Sequence, residues 1–140
     1  MSQESVEIIE QLYERVIAAG KLEDQDAFRL VPEFFDPEIH LRQMSTFVDT
    51  TGDFYGYPGL VDSTRELVRS FSNLGFHPEE IRAAGDQVAA VALATGIGRR
   101  SGAPIEKLVG HLFTLREGRV VRWEVFDDPA DAFRAAGLSE

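Results

Sequence analysis

The chain has 140 residues, 44% of them hydrophobic and 27% charged, which suits one soluble domain, residues 1–140, with a proper core. Fourteen Lys and Arg against 24 Asp and Glu leave a net charge of −10, which argues against nucleic acid or an anionic membrane as the main partner. With no cysteine there is no disulfide, thiolate metal site or cysteine nucleophile. No apolar run approaches the ~20 residues of a membrane span. The start, MSQESVEIIEQ, carries acids where a signal peptide carries bases, so a cytoplasmic location is expected.

Residues 4–19 predict an amphipathic helix, with Val6, Ile9, Leu12, Tyr13, Val16 and Ile17 on one stripe. A second helix is expected near 23–34, cut by Pro32. Asp36-Pro37 reads as a turn. Glu38 to Met44 then alternates, with Ile39 and Leu41 one way and His40 and Arg42 the other, as a half-buried strand does. Ser45 to Pro58 reads as a long loop, and Gly59 to Leu74 as a third helix.

From Gly75 the period becomes two. Four strands are expected, at 76–83, 87–100, 104–116 and 119–127, joined by Gly-containing turns into an antiparallel meander. A last helix, Pro129 to Ala136, has Asp128 as its N-cap. The element order implies an α+β domain whose helices cover one face of the sheet.

His40, His77 and His111 are scattered and show no metal-ligand spacing, so no metal is expected. Gly96, Gly98 and Gly102 join two strands and open no helix, which reads as a hairpin and not a dinucleotide loop. There is no phosphate-binding loop and no nucleophile elbow. No cofactor is expected.

The segments LYERVIAAGKL, FFDPEI, GYPGL, AAGDQV and above all HLFTLREGRVVRWEVFDDPADAFRAAGL resemble the nuclear-transport-factor-2-like superfamily, in its SnoaL-like, polyketide cyclase-like branch. The resemblance spans residues 5–138. It implies a cone-shaped α+β fold, in which a curved antiparallel sheet wraps N-terminal helices around an internal pocket, and a homodimer. The superfamily includes ketosteroid isomerases, limonene-epoxide hydrolases, polyketide cyclases and dehydratases, so the fold alone names no reaction.

Strand parity selects pocket candidates. Val109, His111, Phe113 and Leu115 share one face of their strand; Val121, Trp123, Val125 and Asp127 share one face of the next. The resemblance sets Tyr13 at the tyrosine of the isomerase oxyanion hole and His111 where its acid stands. The alternative for both is a core aromatic and a satisfied core histidine. The isomerase base falls among Leu41, Arg42 and Gln43, none a carboxylate, and Val125 falls at the hydrolase aspartate. Both departures argue against those two activities. Asp127, the same-face carboxylate beyond Val125, is the remaining pocket acid; its alternative is a solvated strand end.

Catalytic candidates are therefore His111, Asp127 and Tyr13, and ligand-binding candidates Trp123, Phe113, Val125, Phe54 and Tyr55. Phe47 and Tyr57 also flank the loop. Counting from the Glu117-Gly118 turn sets His111 opposite residue 124 or 125, with Asp127 roughly 7–8 Å beyond. A histidine there titrates about its ordinary value of roughly 6.5 unless burial or Asp127 moves it. The small row Ala90, Ala92, Ala94 and Gly96 leaves space for a helix, a ligand or a second subunit.

These residues support two functions. One is a cofactor-independent general acid–base enzyme of cyclase, isomerase, dehydratase or hydrolase type, acting on a small apolar oxygenated molecule. The other is a non-catalytic, dimeric small-molecule-binding domain. Leu108, Leu112 and Phe126, opposite in parity to the pocket row, are the expected dimer face.

Overall fold

The structure is a computed structural model and describes residues 2–44 and 51–138. Helix α1 (Ser2–Leu12) runs directly into a π-helical turn, Tyr13–Ile17. The apolar stripe is continuous across both, and Ile9, Leu12, Tyr13, Val16 and Ile17 are buried. The expected second helix is broken into a 3₁₀ turn (Lys21–Glu23), α2 (Gln25–Phe28) and α3 (Val31–Phe34). Asp24 caps α2 by accepting from the Asp26 N–H. Pro32 lies in the first turn of α3, where its missing N–H costs little, so it opens a helix instead of continuing one.

Strand β1 (Phe35–Gln43) starts earlier than expected and absorbs Asp36-Pro37. The ladder to its neighbour is interrupted between Phe35 and His40, and a proline fits where no ladder bond is made. Of the expected loop, residues 45–50, including Phe47, lie outside the described residues. The rest is ordered: β2 (Gly52–Tyr55) pairs antiparallel with β1, and α4 spans Gly56–Ser70. Residues Phe71–Leu74, expected at the end of that helix, open strand β3 (Phe71–Ala84) instead.

Strands β4 (Gln87–Gly98), β5 (Pro104–Arg116) and β6 (Arg119–Phe126) come next, then α5 (Pro129–Ala135). The β5–β6 turn carries positive φ at both Glu117 and Gly118, the backbone of a tight hairpin whose twist matches its strands. Asp128 caps α5 by accepting from the Ala130 N–H. The sheet order is β2-β1-β6-β5-β4-β3. The meander β3 to β6 is antiparallel as expected, but β1 joins it parallel to β6, with Leu41 beside Trp123 and Gln43 beside Val125. Nothing local in the sequence announces a pairing between segments eighty residues apart.

The main core lies on one face of the sheet, between it and α1, the π turn, and α4. The row Ala90, Ala92 and Ala94 is fully buried there. A helix takes the space those small side chains leave, since α1 packs on β4. The opposite face is half covered by α5. Ala89, Leu112, Ala132 and Phe133 form a second apolar cluster, with Phe126 packed against it. A Cβ on Gly110 would come within 2.8 Å of Pro129 Cα, so the helix rests almost directly on the strand. This corrects the expected dimer face. Leu112 is buried by the chain's own last helix, and of the three residues only Leu108, 44% exposed, stands open.

Candidate functional site

The inner face of β5 and β6 brings four aromatic rings around one imidazole. His111 lies across from Val125 and Phe113 across from Trp123. The His111 ring meets Trp123, Phe113 and Phe76 edge to face, at centroid distances of 5.4, 5.6 and 5.0 Å, and stacks on Tyr13 at 5.8 Å. Helix α1 delivers Tyr13 at its end, and the Tyr13 hydroxyl lies 2.8 Å from His111 Nδ1. Both side chains are wholly enclosed.

Enclosure sets their charge. Burial pushes the Tyr13 phenol well above its ordinary value and the His111 imidazole down to about 3. Both groups are therefore neutral across physiological pH. If the phenol donates to Nδ1 the imidazole proton lies on Nε2; if Nδ1–H donates to the hydroxyl, Nε2 is a bare acceptor. His111 Nε2 and Trp123 Nε1 are both buried without a hydrogen-bond partner among the described residues. Unmet buried donors are uncommon and costly, about 1–3 kcal/mol each.

Trp123 also forms part of the wall of a cavity of about 50 Å³. That volume holds a few waters, at about 10–15 Å³ for each, and is far below the roughly 300–1,000 Å³ of a drug-sized site. Strands supply Phe35, Leu41, Gln43, Phe76 and Val125; α4 supplies Leu60, Ser63, Thr64 and Leu67; the segment from Val16 to Val31 closes the remaining side. Among the described residues the wall is apolar except for Lys21, Gln43, Ser63 and Thr64, and contains no carboxylate.

The sequence-derived candidates therefore separate. Trp123 and Val125 line the cavity. Tyr13, His111 and Phe113 form the aromatic cluster behind Trp123, with Phe113 stacked on it at 5.5 Å. Asp127 does not join them. It lies just beyond β6, 38% exposed at its side chain, with Oδ1 3.6 Å from Lys107 Nζ, and it is not part of the cavity wall. With no carboxylate against His111, burial alone decides the imidazole's titration, and it does not titrate near 6.5.

Phe54 packs against the core without reaching the cavity. Tyr57 is tied down by donating its hydroxyl to Phe35 O at 2.8 Å. Tyr55 is 65% exposed and stacks on His40 at 4.7 Å, where His40 Nε2 lies 2.7 Å from Asp53 Oδ1. That group belongs to the outer surface of the β1–β2 pair.

The four polar wall residues are not among the sequence-derived candidates: Lys21, Ser63 and Thr64 carry no assignment there, and Gln43 is named only at the position of the isomerase base. Gln43 was within reach, because the parity that turns Ile39 and Leu41 inward also turns Gln43 inward. Ser63, Thr64 and Leu67 follow Leu60 at helical spacing. Lys21 carries no such signal. Among the described residues no group of three or more His, Asp or Glu side chains could hold a metal ion, and no helix is long and apolar enough to cross a membrane.

The same architecture occurs in known proteins. A protein of Jannaschia sp. CCS1 assigned as a SnoaL-like polyketide cyclase superposes with a TM-score of 0.75 at 19% identity, covering 99% of this chain and 95% of that one. TerC, co-crystallised with polyporic acid, gives 0.74 at 15% identity, covering 96% and 98%. An LEH-like epoxide hydrolase of M. tuberculosis gives 0.67 at 16% identity, covering 96% and 90%. At these identities the likeness establishes a shared fold and no activity. No curated protein matches the chain in sequence. The SnoaL-like domain model matches residues 9–123, most of the sheet and all of the helices around the cavity, and by that match the chain belongs to the SnoaL-like domain family.

Proposed function

We propose that the domain binds a small, mostly apolar molecule in the cavity beside Trp123 and holds an accepting oxygen of that molecule on neutral hydrogen-bond donors. The observation that carries this reading is the Trp123 indole. It lines an apolar cavity, and its buried Nε1 finds no partner among the described residues. Nε1 is closed to water in this structure, so a ligand oxygen satisfies that donor only as the walls part, while the apolar walls reward the rest of the molecule for leaving water. The cavity at 50 Å³ is smaller than such a molecule, so its walls part on binding. The fold's occurrence in a polyketide cyclase assignment, an epoxide hydrolase and a protein crystallised with polyporic acid supports a small-molecule role.

The enzymatic reading, a cyclase, isomerase, dehydratase or hydrolase using acid–base chemistry, is favoured by one feature, the Tyr13–His111 hydrogen bond. A neutral imidazole carrying its proton on Nε2 would polarise a carbonyl in the manner of an oxyanion hole, but His111 stands behind Trp123 and is not part of the cavity wall, so a ligand meets it only if the walls rearrange. It does not act as an imidazolium acid at neutral pH, since its value lies at about 3. The missing carboxylate in the wall leaves proton abstraction without an evident base.

The chain has one tryptophan, so its indole N–H gives one resonance in a ¹H–¹⁵N spectrum. Titration with cyclohexanone is expected to move that resonance downfield saturably. Methylenecyclohexane, of the same shape without the oxygen, is expected to bind more weakly by about tenfold. Equal binding of the two, or no movement with either, overturns the proposal.

A further inference from the structure

Among the described residues Lys21 is the single charged side chain in the cavity wall, in a chain whose net charge is −10. It is half-buried and makes no ion pair with any described residue. The acid nearest to it in sequence is engaged elsewhere: Glu23 Oε1 accepts from Arg99 Nη2 and from the Asn73 N–H, each at 3.1 Å. Resting on the interior reading above, we propose that the bound molecule is an acid, an apolar body with a carboxylate or similarly anionic group, and that Lys21 pairs with that group.

The backbone fixes where this lysine starts. The Lys21 N–H closes a turn onto Ala18 O at 2.9 Å. The same turn lies hard against β3, because a Cβ on Gly75 would fall 2.1 Å from Ala19 N. Only glycine permits that approach, and the approach sets the root of the Lys21 side chain at the cavity. The ligand's charge then has a fixed partner while its apolar part lies against Leu22, Leu67 and Trp123.

A second feature points the same way. The groove on the far side of Leu22, Phe28 and Thr64, which share both walls, carries Arg65, Arg69 and Arg99 against Glu23 alone. Arg69 and Arg99 have acidic neighbours, Glu66 at 3.5 Å and Glu23 at 3.1 Å, whereas Arg65 makes no ion pair among the described residues. Arg65 thus leaves one cation without an ion pair on this side of the cavity, and a cation so placed favours the approach of an anion. A carboxylate that reaches Lys21 gains a charge-assisted hydrogen bond stronger than one to a neutral donor.

The test compares phenylacetate with phenylacetamide, which share shape but not charge, read by the Trp123 indole resonance. Phenylacetate is expected to bind at least tenfold more tightly. Lys21→Met keeps the aliphatic stem and is expected to erase the preference, so that the variant binds its two probes equally; Lys21→Arg is expected to keep it. Arg65→Gln, at an exposed position, is expected to reduce the preference by a smaller factor that vanishes in 1 M salt. Equal affinity for the two probes, or a preference that survives Lys21→Met, overturns the assignment and leaves the interior site standing; Lys21 then lends only its stem to the wall. If neither phenylacetamide nor phenylacetate moves the indole resonance, the interior site itself is wrong and this assignment falls with it.

Discussion

The two faces of the sheet use the same strands for opposite ends. On β6, Trp123 and Val125 look into an interior with no charge among the described residues but Lys21, while Arg122 and Glu124 pair on the other side at 3.3 Å, with the Glu124 side chain only 14% exposed. On β1, Leu41 and Gln43 line the cavity while His40 and Arg42 both approach Asp53 on β2, at 2.7 and 3.8 Å. Inside, polar groups stand singly and, apart from half-buried Lys21, uncharged; outside, charged groups stand in pairs. A polar group inside is therefore expensive to leave unmatched, and one outside is nearly free. Function is sought where unmatched groups persist despite the cost, at Trp123 and His111.

Three experiments break or sharpen that contrast. The largest effect is expected from Phe113→Ala. Phe113 is fully buried and touches the rings of Tyr13, His111 and Trp123, so truncation removes the support of the whole cluster. A loss of about 3–5 kcal/mol in a urea melt is expected. A loss under about 1 kcal/mol would show that the inner face is loosely packed.

The next is acid sensitivity. In the unfolded chain His111 takes up a proton near its ordinary 6.5; in the folded protein it does so only at about 3. Between those values the unfolded state binds the extra proton. The stability that neutral burial contributes is therefore whole above pH 6.5 and is lost as pH falls toward 3. From pH 6.5 to 4.5 the loss is expected to be on the order of 2–3 kcal/mol. His111→Leu, though less stable at pH 7 because it strands the Tyr13 hydroxyl, is expected to show a flatter slope over that window. Parallel slopes for the two proteins would mean that His111 is not held neutral by burial.

The smallest effect is expected outside. Asp53→Asn removes the carboxylate shared by His40 and Arg42, with Asp53 itself 45% exposed. The change in a thermal or urea melt is expected to stay under about 1 kcal/mol. A larger cost would mean that the outer pairs act as a buried network and that the contrast between faces is overdrawn.

Much of the inner face was legible because its information is local. Alternation along β5 and β6 grouped His111 with Phe113 and Trp123 with Val125, but counting from the turn left His111 opposite residue 124 or 125; the register shift between Thr114 and Leu115 is what sets it opposite Val125. The stripe on the first helix marked Tyr13 as buried. Family resemblance alone set Tyr13 beside His111, and the fold joins them by a hydrogen bond. Asp127 misled the parity reading because the strand stops at Phe126, and one residue past its end the alternation no longer directs a side chain.

Period, turn chemistry and composition are properties of the sequence by itself, and they determined the antiparallel meander, the capped last helix, the apolar stripe of the first and the absence of thiol chemistry. The tertiary structure alone decided the rest. It paired β1 with β6 across eighty residues and so set Leu41 and Gln43 beside Trp123 and Val125. It laid α5 over Leu112, turning an expected interface into core. It carried Asp127 out to Lys107 and left His111 among rings, where desolvation has no opposing charge. Each of these depends on which distant segments share water-free space, and that is a property of packing, which no local pattern encodes.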